Sequence, residues 1–275
     1  VVLVNKKRMD ASTYAVEPEA GVVRLHVPED QWGTENYVTV VLESEAGAKG
    51  ETVAPIIFDD APRAPRDEVI YFAFTDRFHD GDPTNNPPAD HPRVHAKAEY
   101  HGGDWAGIQQ RIEEGYFDQL GVTTLWISPA NENTPKVEQE SVEPGRYFTS
   151  YHGYWPTSST KTNPPFGSME ELQNLVDTAH DHGIAVLLDF VANHVHEDHP
   201  LFQANPDLKT LLMLPDGEEN IRKFDEHPLT TWFDTFLPTL DYVNNPDAID
   251  VMTDNGVWWI EETGADGFRH DAVKH

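Results

Sequence analysis

Apolar and polar positions follow two rhythms along this chain, and the change falls near residue 69. Before it, residues 22–27 and 37–42 carry β-branched side chains in alternation, with turn residues between them. Residues 1–58 therefore read as a small β module, and the proline-rich stretch 59–66 as a linker. Beyond it, short apolar runs at 69–74, 122–127, 184–190 and 267–271 read as strands separated by helical stretches. One helix is predicted over 105 to about 120, stopped by Gly121. A second starts at the cap Ser168, with Glu170 and Glu171 in its first turn, and runs to about 182. A third spans about 246–263. Strand and helix in turn mark an α/β fold with parallel strands. Residues 196–245 keep neither rhythm and read as an inserted domain after the third strand. The large domain is thus divided into 67–195, the insert 196–245, and a continuation over 246–275 through the fourth strand.

Composition sets bounds on this picture. A chain of 275 residues with 38% hydrophobic positions and 7 Trp can build a real core. No run of about 18 apolar residues is present, so no membrane span is expected. The absence of cysteine excludes disulfides and thiol chemistry without fixing the compartment. The chain opens on Val1 rather than Met, as expected if its true start has been removed.

Charge changes the picture more. Acidic residues number 48 against 19 basic, a formal net charge of −29. Such a surface is expected of a salt-adapted protein, where ions screen the repulsion. An ordinary acidic secreted protein is the alternative. Nucleic acid and anionic membranes are excluded as natural partners.

The chemistry lies at two strand ends. Gly267-Phe-Arg-His-Asp-Ala-Val-Lys-His275 sets Arg269 two positions before Asp271, and residues i and i+2 of a strand point to the same side. A guanidinium beside a carboxylate favours the ionised acid. An ionised carboxylate can attack a sugar carbon as a nucleophile. A plain structural salt bridge is the competing reading of that pair. The second end is Asp189-Phe-Val-Ala-Asn-His194.

Three further stretches complete a series: Asp76-Arg-Phe-His-Asp-Gly-Asp82, His101-Gly-Gly-Asp-Trp105 and Tyr151-His-Gly-Tyr-Trp155. In this order, over residues 69–275, the five stretches resemble the α-amylase family of glycoside hydrolases, in particular its bacterial α-amylase and cyclodextrin glucanotransferase branch. Residues 1–65 lie outside the resemblance. The resemblance implies a TIM (β/α)8 barrel, of which four strands are counted where eight are needed, so the chain is expected to be the N-terminal half. It implies retaining chemistry on α-1,4-glucans, with starch or maltooligosaccharides as substrate. Asp271 falls at the nucleophile position and Arg269 at that of the arginine orienting it. His152 and His194 match histidines that grip sugar hydroxyls, Tyr154 an aromatic that stacks on the sugar, and Asp189 a supporting acid. Lys274 and His275 match a pair on the leaving-group side. The family's acid/base glutamate and last aspartate fall beyond residue 275, so this polypeptide alone is expected to be inactive. Secretion is expected as well.

Calcium is the expected cofactor. Asp80, Asp82, Asn85 and Asn86 crowd one loop, and Gly102 and Asp104 follow in a second, a density of hard oxygen donors that suits calcium. An Asx turn without metal is the alternative. The resemblance implies the same six positions as one calcium site, and a second at Asn193, Asp241 and the His275 carbonyl. One departure bears on activity. Leu237 stands where cyclising relatives carry a bulky aromatic, which favours hydrolysis, with glucan transfer as the alternative. A non-catalytic amylase-like binding protein is the reading from another class, and the presence of Asp271, His194 and Arg269 speaks against it. For the N-terminal module, glycan binding and a purely structural role both stand.

Overall fold

The computed structural model describes residues 1–17, 20, 22–26, 35–43, 47–57, 68–88 and 91–273. The expected linker 59–66 lies outside them, as do Lys274 and His275. Two compact units are present, Val1–Glu68 and Val69–His275.

In the first unit, β1 (Val2–Val4), β2 (Lys7–Arg8), β5 (Glu35–Glu43) and β6 (Lys49–Ile57) form an antiparallel sheet in the order β2-β1-β5-β6. A separate hairpin joins β3 (Tyr14–Glu17) and β4 (Val22–Leu25). Val2, Val4, Met9 and Val38 make the small core of this first unit.

The second unit is built on four parallel strands: β7 (Ile70–Ala73), β8 (Thr124–Ile127), β11 (Ala185–Phe190) and β12 (Gly267–His270). They lie side by side in chain order, so each crossover leads to the neighbouring strand. Alternation of side chains gives this sheet two different faces. On one, Ala73, Leu125, Ile127, Val186, Leu188 and Phe190 are buried in a single core with side chains from the helices, among them Ile108, Leu172, Leu175 and Trp259. On the other, Phe72, Trp126, Leu187 and Arg269 are only partly buried, around the buried Asp189.

The helices show why the apolar face is covered. In α4 (Met169–Asp181), Leu172, Leu175, Val176 and Ala179 recur at helical spacing and are buried. Ser168 and Glu171 close a reciprocal capping box at its start. In α6 (Asp247–Thr263), Ala248, Met252, Trp259 and Thr263 face inward. The helix expected over 105–120 is in fact two, α2 (Trp105–Glu113) and α3 (Tyr116–Leu120). Gly115 breaks them apart with φ 73°, a left-handed conformation glycine adopts without steric cost. Close approach explains another glycine. A side chain at Gly107 would place its Cβ 2.1 Å from the His79 carbonyl oxygen, so α2 can press against the loop after β7.

Two long excursions leave the C-terminal ends of the strands. One follows β8 and carries the short hairpin β9 (Glu138–Gln139) and β10 (Tyr147–Phe148). The other follows β11 and contains α5 (Pro200–Ala204) before α6 begins. The stretch 196–245, expected as an insert, falls within the second, and the first, whose turn-rich composition hides its length, has no counterpart in the sequence reading. A four-residue helix, α1 (Thr75–Phe78), follows β7. Among the described residues no helix is long and apolar enough to cross a membrane.

Candidate active site

Register builds the centre of the site. In the parallel pairing of β11 with β12, Asp189 stands opposite Arg269. In the pairing of β11 with β8, Leu187 stands opposite Trp126. Asp189, Arg269, Trp126 and, two positions beyond Arg269, Asp271 therefore share the half-open face. Arg269 Nη1 donates to Asp271 Oδ1 at 2.9 Å and to Asp189 Oδ1 and Oδ2 at 3.0 and 3.1 Å. The sequence pairs this arginine with one acid, whereas the fold gives it two.

Asp189 is closed in by donors. Tyr154 Oη reaches Asp189 Oδ2 at 2.7 Å and Trp126 Nε1 reaches the same oxygen at 3.0 Å. Burial pushes the Asp189 carboxyl above its ordinary range, with the Tyr154 and Arg269 contacts opposing. Burial also raises Tyr154, and the Asp189 charge adds to it, so the phenol keeps its proton as a donor. Trp126 plays a second part, because the Arg269 guanidinium lies 4.7 Å over its ring and the Phe72 ring stacks on it at 3.8 Å. Sequence reasoning misses Trp126, since an indole in an apolar strand reads as core.

The two histidines are held neutral. His152 accepts the Tyr154 N–H at Nδ1, 2.9 Å away. Burial, then the neighbouring His194 and Arg77, lower its pKa to about 3. The neutral ring with Nδ1 accepting carries its proton on Nε2, where it can be donated. His194 is 3% exposed, and its Nε2–H donates to the Tyr154 carbonyl at 3.0 Å. Burial lowers its pKa as well. Beside His152 opens a cavity of about 420 Å3, whose walls include Trp155, Phe233, Phe236 and Leu237. Leu237 packs with Trp155 and Phe236 in a buried cluster.

The expected metal positions form two groups. Asp104 caps α2, its Oδ1 accepting from the Gly107 and Gly81 amides at 2.7 and 3.0 Å. Its Oδ2 accepts from the Asp82 amide at 2.8 Å and from Asn85 Nδ2 at 3.1 Å. Asn86 Nδ2 donates to Asp80 Oδ2 at 2.8 Å, and a Cβ at Gly102 would meet the Asn86 side chain at 2.5 Å. The six positions thus fall into two sets of contacts, Asp82 and Asn85 with Asp104, and Asp80 and Gly102 with Asn86, joined through adjacent residues of one loop. Asn85 Oδ1 is buried there with no partner. In the second group Asn193 Oδ1 is likewise buried without a partner, while the Asn193 carbonyl accepts the Leu240 amide beside Asp241. The expected third contributor, His275, lies outside the described residues. Among the described residues no three His, Asp or Glu side chains converge as a metal cage. A cation here would depend on amide and carbonyl oxygens as much as on carboxylates, and the two orphaned amide oxygens fit that demand.

Comparison with known proteins agrees with this architecture. The family model described as "Alpha amylase, catalytic domain" matches residues 72–213. A cyclomaltodextrin glucanotransferase from Bacillus sp. (strain 38-2) is 38% identical over 223 residues, covering 76% of this chain and 31% of its own length. An α-amylase from Niallia circulans is 38% identical over 225 residues, covering 76% of this chain and 42% of its own. The crystal structure of the Geobacillus thermoleovorans α-amylase, complexed with acarbose, superposes with TM-score 0.60 at 32% identity, over 78% of this chain and 42% of that one. The chain therefore spans between about a third and two fifths of the length of these relatives. Its strands, paired in chain order with the charged cluster at their ends, are those of a TIM-barrel catalytic domain. This chain belongs to the α-amylase family.

Proposed function

We propose that the protein acts on α-1,4-glucans by a retaining mechanism, with Asp271 as nucleophile. The observation that carries this reading is the single Arg269 nitrogen shared by Asp189 and Asp271 at the ends of adjacent strands. Asp271 attacks the anomeric carbon as the bond to the leaving oxygen breaks, and water later opens the glycosyl ester. Arg269 fixes the attacking oxygen. Asp189, engaged by Tyr154, Trp126 and Arg269, has no freedom to shuttle a proton and serves as the anchor of that arginine. The proton for the leaving oxygen is assigned to a glutamate outside residues 1–275. His152 offers its Nε2 proton to a sugar hydroxyl, His194 exchanges its Tyr154 carbonyl contact for another hydroxyl, and the Tyr154 ring offers a flat face to the apolar side of a glucosyl unit. Lys274 and His275 are proposed contacts on the leaving-group side.

Calcium is part of the proposal. The first ion would be held by Asp80, Asp82, Asn85, Asn86, the Gly102 carbonyl and Asp104, and the second by Asn193, Asp241 and the His275 carbonyl. Bound calcium would supply positive charge that ties the excursions to the sheet. Export from the producing cell is proposed too, and cell fractionation tests it.

Hydrolysis is the preferred outcome, because Leu237 is buried against Trp155 and Phe236 and projects no ring for a glucan to wrap. Transfer is the second reading, favoured by the glucanotransferase relatives. One experiment addresses both: starch digestion by the full-length protein and its Asp271→Asn variant, with products separated by chromatography. Wild type is expected to give linear maltooligosaccharides. The variant is expected to bind starch while turnover falls by about a thousandfold or more. Retention of about a tenth of the turnover would remove Asp271 from the nucleophile role, and cyclodextrins as the main early product would favour transfer.

A further inference from the structure

A cavity of about 630 Å3 lies beside the cavity at His152, sharing Phe148 and Tyr151 with it. Its charge is the reverse of the molecule's. Arg93, His95, Lys97 and Arg146 line it, and among the described residues no Asp or Glu does. In a chain with 48 acidic and 19 basic residues, an acid-free pocket holding three Lys or Arg side chains is a local reversal of sign.

Local structure explains the convergence. Val94 bridges Tyr147 in parallel, so residues 93–97 run beside 145–148. The Arg93 guanidinium lies 4.5 Å over the Tyr147 ring and its Nη1 reaches Tyr147 Oη at 3.3 Å. Behind the wall, Arg77 lies 4.0 Å over the Tyr151 ring and donates to the Lys97 carbonyl at 2.9 Å. Arg146 pairs with Glu140, and Arg77 with Asp76. Arg93 and Lys97 have no ion-pair partner among the described residues.

We propose that this pocket receives a phosphate group carried on the glucan, so that the substrates of the site described above include phosphorylated α-glucans. The proposal rests on that glucan reading. A neutral glucan can accept hydrogen bonds from Arg93 and Lys97 but leaves their charge unanswered. A phosphate monoester offers a near-dianion with three strong acceptor oxygens, which Arg93, Lys97 and Arg146 can share, and arginine's planar fork suits that geometry. Elsewhere the acidic surface repels such a group.

Calorimetric titration of the full-length protein, carrying Asp271→Asn so that sugar is not consumed, tests this. The probes are maltoheptaose, the same sugar bearing one C6 phosphate as a mixture of positions, and inorganic phosphate. The phosphorylated sugar is expected to bind about tenfold tighter, which corresponds to about 1.4 kcal/mol. The double substitution Arg93→Ala with Lys97→Ala is expected to erase that advantage while leaving plain maltoheptaose unchanged. Lys97→Gln alone, expected to reduce the advantage in part, serves if the double variant loses plain-sugar binding. Inorganic phosphate is expected to cancel the advantage without displacing the plain sugar. Equal affinity for both sugars, or an advantage that survives the substitutions, overturns the proposal. So does phosphate binding without discrimination between the sugars, which would make this a free-anion site. Failure to bind plain maltoheptaose would instead overturn the glucan reading itself, and this inference with it.

Discussion

Histidine shows how far single residues could be read in advance. His152 and His194 stand out in the sequence only through the stretches that contain them, and their neutrality comes from burial that no spacing reveals. His199 is a third case, 4% exposed, with Nδ1 accepting the Leu201 amide at 3.1 Å and Nε2 3.3 Å from Ser159 Oγ. Burial, then His196, lowers its pKa to about 4. The folded protein therefore binds fewer protons than the unfolded chain below the ordinary histidine range. Its contribution to stability is complete above about pH 6.5 and is lost as pH falls towards 4. We expect the melting temperature to decline over that window, with buried His152 and His194 contributing in the same direction. His199→Asn keeps an acceptor at this helix cap and should make the decline shallower than in the wild type. Equal slopes for variant and wild type, measured by calorimetry between about pH 7 and 4, would contradict this. Trp126 teaches the converse lesson. Its place in an apolar strand suggests core, and only the register of three strands reveals that it supports Arg269.

Among elements, strands and helices were easier to read than the segments joining them. The four parallel strands follow from short apolar runs, and α4 follows from Ser168 and its periodic leucines. The break at Gly115 is hidden because one glycine inside a helical pattern costs only about 1 kcal/mol, and nothing in the spacing announces a left-handed φ. The loop between α1 and α2 is the element whose behaviour is most open to test. Asn85 Oδ1 is buried there without a partner, and the Asp104 carboxylate holds both that loop and the start of α2. A cation bound only by the folded form stabilises it by mass action. Adding a chelator should lower the melting temperature, and calcium should restore it. Coincident melting curves, with no metal by elemental analysis, would remove calcium from both proposed sites.

For the molecule as a whole, composition foretells the surface and the topology supplies the site. The formal charge of −29 produces repulsion that only counter-ions relieve. Stability is therefore expected to rise as salt increases from about 0.1 M to about 2 M, followed as melting temperature at fixed pH. A flat or falling curve would mark an ordinary acidic protein. The ordering of strands could be anticipated from their alternation with helices. The sharing of Arg269 between two acids could not, because it depends on which residues of neighbouring strands stand level.

That level pairing has a consequence for assembly. Asp189 and Arg269 face one another because β11 and β12 align at that rung. A slip of one residue would bring Phe268 or His270 opposite Asp189 and turn the arginine to the other side of the sheet. The ion cluster thus acts as a proofreading mark on strand alignment. Chains that pair wrongly cannot form it, so the fraction of refolded molecules that contain the Asp189–Arg269–Asp271 cluster counts those that joined these two strands in step.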